Sequence, residues 1–179
     1  TSYVQHVLTR ANRVDVAYKL LHQKKWPSWL YAVTQGATTI WERWDALGED
    51  GTIYDPDMNS YNHYAYGAVC QWLFESVAGV APDPDHPGFD RVLIAPKVLP
   101  ALGHAEAWHD CRHGRLSAAW RLEGRAVTYD LTLPEGCAGL LLPDLGRANH
   151  RIGGQTVAFS DAGLHLPPGR HVITFDLTA

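Results

Sequence analysis

The apolar positions change period about halfway along the chain. In the first half they recur at helical spacing. Val14, Ala17, Tyr18 and Leu21 fall at i, i+3, i+4 and i+7, and Tyr66, Val69, Cys70, Leu73 and Val77 repeat the stripe, with Gly79 as a stop. Between these helices a long irregular section runs from about Lys25 to Asn62, and loops of that length inside a compact domain are usually functional. In the second half the period is two. Leu116, Ala118, Trp120 and Leu122 alternate with Ser117, Ala119, Arg121 and Glu123, and Val127, Tyr129, Leu131 and Leu133 alternate with Thr128, Asp130 and Thr132. That alternation marks half-buried antiparallel strands. Gly153-Gly154 reads as the two-residue turn of a hairpin over Arg151–Val157, and His171 to Leu177 reads as a last strand.

The two patterns meet at Pro82-Asp83-Pro84-Asp85-His86-Pro87-Gly88, which cannot continue a helix. The expected organisation is therefore α plus β in two domains: a helical part over residues 1–81, a linker at 82–88 and an antiparallel β-sandwich over 89–179. A few helices cannot bury their apolar stripes alone, so the helical part is expected to belong to a larger helical domain. The first residues carry neither an initiator Met nor a charged segment ahead of an apolar run, so the start is read as a cut inside a longer chain.

Composition narrows the function. A net charge of −4 with scattered Lys and Arg gives no reason to expect nucleic acid or an anionic membrane as partner. No apolar run approaches the roughly 20 residues that span a bilayer. Cys70, Cys111 and Cys137 are an odd number without a CxxC pair. They are expected as mostly buried, reduced thiols, which favours a reducing, cytoplasmic compartment. His109, Cys111 and His113 would share one face of a strand, but neighbours on one strand are too widely spaced to close a tetrahedral set, so neither a metal nor another cofactor is expected.

Two stretches carry the candidate chemistry. Gly36-Ala37-Thr38-Thr39-Ile40-Trp41-Glu42-Arg43-Trp44-Asp45 sets a carboxylate between two indoles. Asn59-Ser60-Tyr61-Asn62-His63-Tyr64-Ala65-Tyr66-Gly67 sets a histidine among phenol rings. Rings stack on the apolar faces of sugars, and a carboxylate among them is placed for proton transfer. Arg43, or another cation nearby, is expected to hold Glu42 ionised. Trp41 and Trp44 cannot both face a ligand. Trp44 is taken as the exposed ring and Trp41 as core. Asn62 is taken as a helix N-cap, and Asp45, Asp50, Asp55 and Asp57 as turn and cap residues.

Both stretches, in this order and over roughly residues 1–100, resemble the end of the catalytic domain of glycoside hydrolase family 78, the bacterial and fungal α-L-rhamnosidases. Trp26-Pro27-Ser28-Trp29-Leu30-Tyr31 is similar to a family segment that usually reads Pro-Ser-Trp-Gly-Tyr, with Leu30 in place of the glycine and Trp26 where Tyr is common. The resemblance implies the last helices of an (α/α)6 barrel followed by a C-terminal β-sandwich. It implies an inverting mechanism with Glu42 as general base, the general acid lying upstream, and His63 on the bound rhamnose. Trp44 and Trp29 are expected near the sugar. The implied partners are a rhamnose-containing glycoside and the missing N-terminal portion of the same enzyme, and residues 1–179 alone are expected to be inactive. Two other readings share part of this pattern: a carbohydrate-binding sandwich without catalysis, and another inverting (α/α)6 glycosidase of different sugar specificity. The polar-aromatic stretches lie in the helical half, which favours the enzyme.

Overall fold

A computed structural model describes residues 3–143 and 147–178. The chain forms two compact units that divide between Trp72 and Leu73.

The first unit is helical. α1 (Val4–Arg10) and α2 (Val14–Leu21) pack as a pair, and the α2 stripe buries Ala17 and Tyr18 completely. Tyr18 meets the buried Trp72 edge-on at 5.2 Å, and the Trp72 indole N–H donates to Thr9 Oγ1 at 2.8 Å. The section from Lys25 onward contains a six-residue helix that the sequence pattern did not announce, α3 (Trp29–Thr34). Ser28 caps it: its Oγ accepts from the Tyr31 N–H at 3.0 Å and donates to the Gln23 carbonyl at 2.6 Å. Gly36 ends it with φ +84°, the left-handed conformation that suits glycine. Ala32 of α3 packs with Trp41 and Ala46 into a small core.

The expected helix from Tyr66 to Val77 is three consecutive pieces: a 3₁₀ turn (Ala65–Ala68), α4 (Val69–Trp72) and a wider π turn (Leu73–Ala78). The π turn belongs to the second unit. Its last carbonyls have no helical partner. They are met by the Trp120 indole N–H on Val77 O at 2.7 Å and the Tyr129 hydroxyl on Ala78 O at 3.0 Å, both buried. Gly79, with φ +80°, then turns the chain into β1 (Val80–Pro82).

Among the described residues the second unit holds two sheets. The smaller is ordered β1, β2 (Arg91–Ile94), β6 (Ala138–Leu141), β9 (Leu164–Leu166). The larger is ordered β3 (His104–Cys111), β4 (Gly114–Glu123), β5 (Ala126–Leu133), β10 (Gly169–Leu177), β7 (Arg147–Ile152), β8 (Gln155–Thr156). Of the predicted inward residues, Leu116, Ala118, Trp120, Val127, Tyr129, Leu131 and Leu133 are buried, and Leu122, near the end of β4, is half-buried. The Gly153-Gly154 turn joins β7 to β8, with both glycines at positive φ. One pairing departs from the antiparallel expectation: β2 and β6 run parallel. Gly139 on β6 leaves room for Ile94, Leu133 and Leu166, so side chains from both sheets meet where a methyl group would stand.

The stretch expected as a linker, 82–88, leads from β1 into β2 within the second unit. Asp83 is buried there, accepting from the Asp85 N–H at 2.9 Å and pairing with Arg91. Of the zinc-like trio only His109 and Cys111 lie on β3, and His113 falls on the turn that follows. His109 lies against Phe89 at 4.6 Å, Cys111 donates to Gly114 O at 3.2 Å, and His113, on the β3–β4 turn, is bonded to Asp90 at 2.6 Å. The three thiols differ in burial. Cys70 is exposed, Cys111 intermediate and Cys137 buried, and burial pushes the Cys137 thiol up to about 11.

Candidate active site

The first unit carries a cleft of about 640 Å³, lined by Pro27, Glu42, Arg43, Trp44, Asp45, Met58, His63, Ala65 and Tyr66. Residues from both motif stretches line it because their backbones are tied together. The Glu42 N–H donates to Ser60 O at 2.8 Å, and the His63 N–H donates to Ile40 O at 2.8 Å. The two crossing bonds hold the segment around Glu42 beside the segment around His63. Beyond it Ala46 O receives the Asn59 side-chain amide at 2.9 Å and the Tyr54 N–H at 3.3 Å.

Glu42 is half-buried in the cleft. Among the described residues its carboxylate has no hydrogen bond or ion pair. The expected pairing with Arg43 does not form. Arg43 instead grips Asp45 through Nε and Nη2, at 3.0 and 3.1 Å, turns Nη1 to Asp55 at 3.6 Å and lies over the Tyr54 ring at 4.8 Å. The turn after Glu42 is the reason: the Ala46 N–H bonds back to Arg43 O at 3.4 Å, which brings residues 43 and 45 to one side. Arg43 holds the Asp45 carboxyl below the usual carboxylate range. Asp45 thus sits in a turn, as expected, and is an ion-pair partner as well. Asp50 and Asp55 do serve turns, accepting from the N–H groups of Thr52 and of Asp57 and Met58.

The two indoles part ways. Trp41 is buried against Ala32 and Ala46 and meets Tyr61 edge-on at 5.0 Å. Trp44 lines the cleft, stacked on Tyr66 at 5.0 Å and 24°. Its N–H is buried without a partner among the described residues, so it offers the cleft carbon surface. Trp29 does not line the cleft. It packs edge-on against Trp44 at 4.5 Å and Tyr66 at 6.3 Å, and so backs the rings that do.

His63 lines the cleft and also performs the local capping assigned to Asn62. Its Nδ1 accepts from the Ala65 N–H at 3.2 Å. A neutral ring bonded in this way carries its proton on Nε2, which leaves that N–H as a donor. The Tyr64 ring lies parallel to it at 5.1 Å. Among the described residues the Asn62 side chain caps no helix, and its backbone N–H donates to Ser60 Oγ at 3.2 Å. Tyr66, one of the phenol rings of the second stretch, lines the cleft, whereas Pro27 and Met58 line it without any mark in the sequence pattern.

A free carboxylate beside ring surface, on a helical unit followed in sequence by a sandwich, is an arrangement that suits a glycan. The comparisons specify it. Residues 1–77 match the bacterial alpha-L-rhamnosidase 6 hairpin glycosidase domain, and residues 79–156 match the bacterial alpha-L-rhamnosidase C-terminal domain. The chain belongs to the bacterial α-L-rhamnosidase family. An alpha-L-rhamnosidase of Streptomyces avermitilis is 41% identical over 128 residues, which is 72% of this chain and 12% of that protein. One from an Alteromonas species is 34% identical over 143 residues, 80% of this chain and 15% of that protein. The crystal structure of the Streptomyces avermitilis alpha-L-rhamnosidase complexed with L-rhamnose aligns with a TM-score of 0.85 at 33% identity, over 97% of this chain and 17% of that one. The enzyme from Aspergillus terreus gives 0.82 at 31% identity, over 97% and 18%. The chain thus spans 12–15% of the length of these two curated relatives.

Proposed function

We propose that this chain supplies the base-bearing wall of the catalytic cleft in an inverting glycoside hydrolase that releases terminal α-L-rhamnose. The observation that carries the proposal is the Glu42 carboxylate: half-buried, in the cleft, without a partner among the described residues, beside the ring surface of Trp44. An inverting hydrolase needs one carboxylate to take a proton from water while a carboxylic acid on the other side protonates the departing oxygen. The two sit roughly 6.5–9.5 Å apart, which leaves room for that water. Glu42 fits the first role because nothing else occupies its oxygens. The second role belongs to a residue outside this chain. Asp45, the other carboxylate lining the cleft, is held ionised by Arg43 and is no proton donor.

In this reading the Trp44 face receives the apolar side of the sugar, Trp29 holds Trp44 in place, and the His63 Nε2–H donates to a sugar hydroxyl. The named relatives are alpha-L-rhamnosidases, and one is described in complex with L-rhamnose, which supports rhamnose as the sugar. The test is Glu42→Gln in the full-length enzyme that contains this chain, assayed on an aryl α-L-rhamnoside. Gln keeps the shape but cannot accept the proton, and kcat should fall by at least about two orders of magnitude. Near-normal turnover by the purified variant would remove Glu42 from the mechanism.

A further inference from the structure

We infer that Asp45 and Asp55 are positioning residues that hold the Arg43 guanidinium away from Glu42 and so leave the Glu42 carboxylate free to accept a proton. The inference rests on the reading of Glu42 as the base. Arg43 directly follows Glu42 in the chain, and a cation so near a carboxylate is its natural partner. The geometry sends it elsewhere. Two carboxylates face this one cation: Asp45 accepts from Nε and Nη2 at 3.0 and 3.1 Å, and Asp55 stands 3.6 Å from Nη1. The Tyr54 ring covers the guanidinium at 4.8 Å. A bidentate pair fixes the plane of the guanidinium as well as its position, so Arg43 cannot swing to Glu42 without breaking it.

The arrangement matters to the chemistry. An Arg43–Glu42 pair would occupy an oxygen that must face the water. It would also favour the ionised carboxylate and weaken it as a proton acceptor. Asp55 adds a second tie, because its Oδ1 accepts from the N–H groups of Asp57 and Met58 at 3.1 and 3.2 Å, and Met58 lines the cleft. The titratable or charged groups sharing the cleft with Glu42 are Arg43, Asp45, His63 and Tyr66, and those around Arg43 are Asp45, Asp55 and Tyr54. Arg43 is the cleft's cation, and its release is what the test provokes.

The experiment uses the full-length enzyme and kcat/KM profiles against pH on an aryl α-L-rhamnoside. Asp45→Asn keeps the shape and removes the charge. The acid limb should move down by about one pH unit, the low end of what an opposite charge does to a carboxylate. We expect kcat to fall about tenfold, with KM within about twofold. Removing the freed cation should undo this: Arg43→Gln in the Asp45→Asn background returns the limb to its wild-type position and recovers most of kcat. A merely structural pair predicts the reverse, a double variant no better than Asp45→Asn and no movement of the limb, and that result overturns the inference. So does an Asp45→Asn enzyme with wild-type limb and kcat. If Asp45→Asn does not fold, Asp55→Asn should shift the limb in the same direction by less, and an unmoved limb there also overturns it. Glu42→Gln run in parallel separates the two claims. An active Glu42→Gln enzyme sinks the base reading itself, whereas an inactive one beside an unmoved limb sinks only the positioning of Arg43.

Discussion

His63 has two tasks that one substitution can separate. Its Nδ1 caps the Ala65 N–H, while its place in the cleft is the proposed sugar contact. Asn is among the best capping residues but lacks the imidazole Nε2–H. His63→Asn should therefore keep the melting temperature of the full-length enzyme within about 2 °C, since a retained cap leaves little of the roughly 1 kcal/mol at stake. In the same variant KM for a rhamnoside should rise about tenfold, the loss of one hydrogen bond of about 1.4 kcal/mol. A fallen melting temperature with unchanged KM would make His63 a cap and nothing more. At this scale the sequence displayed the motifs but not their pairings. Residue types near a carboxylate suggested an Arg43–Glu42 contact, yet the direction of an arginine fork is decided by the turn that follows it. The burial of Cys70 was misjudged for a related reason: a stripe spaced at i and i+4 assumes an unbroken α-helix, and this stretch passes from 3₁₀ to α to π.

The π turn over Leu73–Ala78 shows what an element owes to its surroundings. Its carbonyls at Val77 and Ala78 are bonded by Trp120 and Tyr129, far along the chain. No local pattern reports a partner that distant, whereas the alternation along β4 and β5 was legible because a strand's two faces are written into consecutive residues. α3 escaped notice for want of length, since six residues give barely more than one period. Gly79, read from sequence as a stop, is held more tightly than a stop requires. A Cβ there would stand 2.2 Å from both Cα and N of Pro96, and the φ of +80° is itself adverse to other residues. Gly79→Ala should destabilise the second unit by about 3 kcal/mol or more, since the obstacle is backbone and cannot rotate away. Thermal unfolding of the full chain measures it, and a shift of a degree or less would contradict the packing described at Pro96.

At the scale of the whole chain, the cleft offers one unpaired carboxylate, and its other carboxylate is tied to Arg43. A preparation of residues 1–179 alone should therefore hydrolyse no aryl α-L-rhamnoside, and measurable inverting turnover by a clean preparation would place the acid within this chain. The order of strands has a further result, for the timing of assembly. β3, β4 and β5 follow one another as hairpins and can pair as soon as each is made. β10 comes last among the strands yet lies between β5 and β7, bonded to both. Until it pairs, the β7–β8 hairpin has no neighbour in the larger sheet, and β5 presents an open row of backbone groups along one edge. A chain that ends before β10 should therefore leave that edge open to pairing with a second molecule.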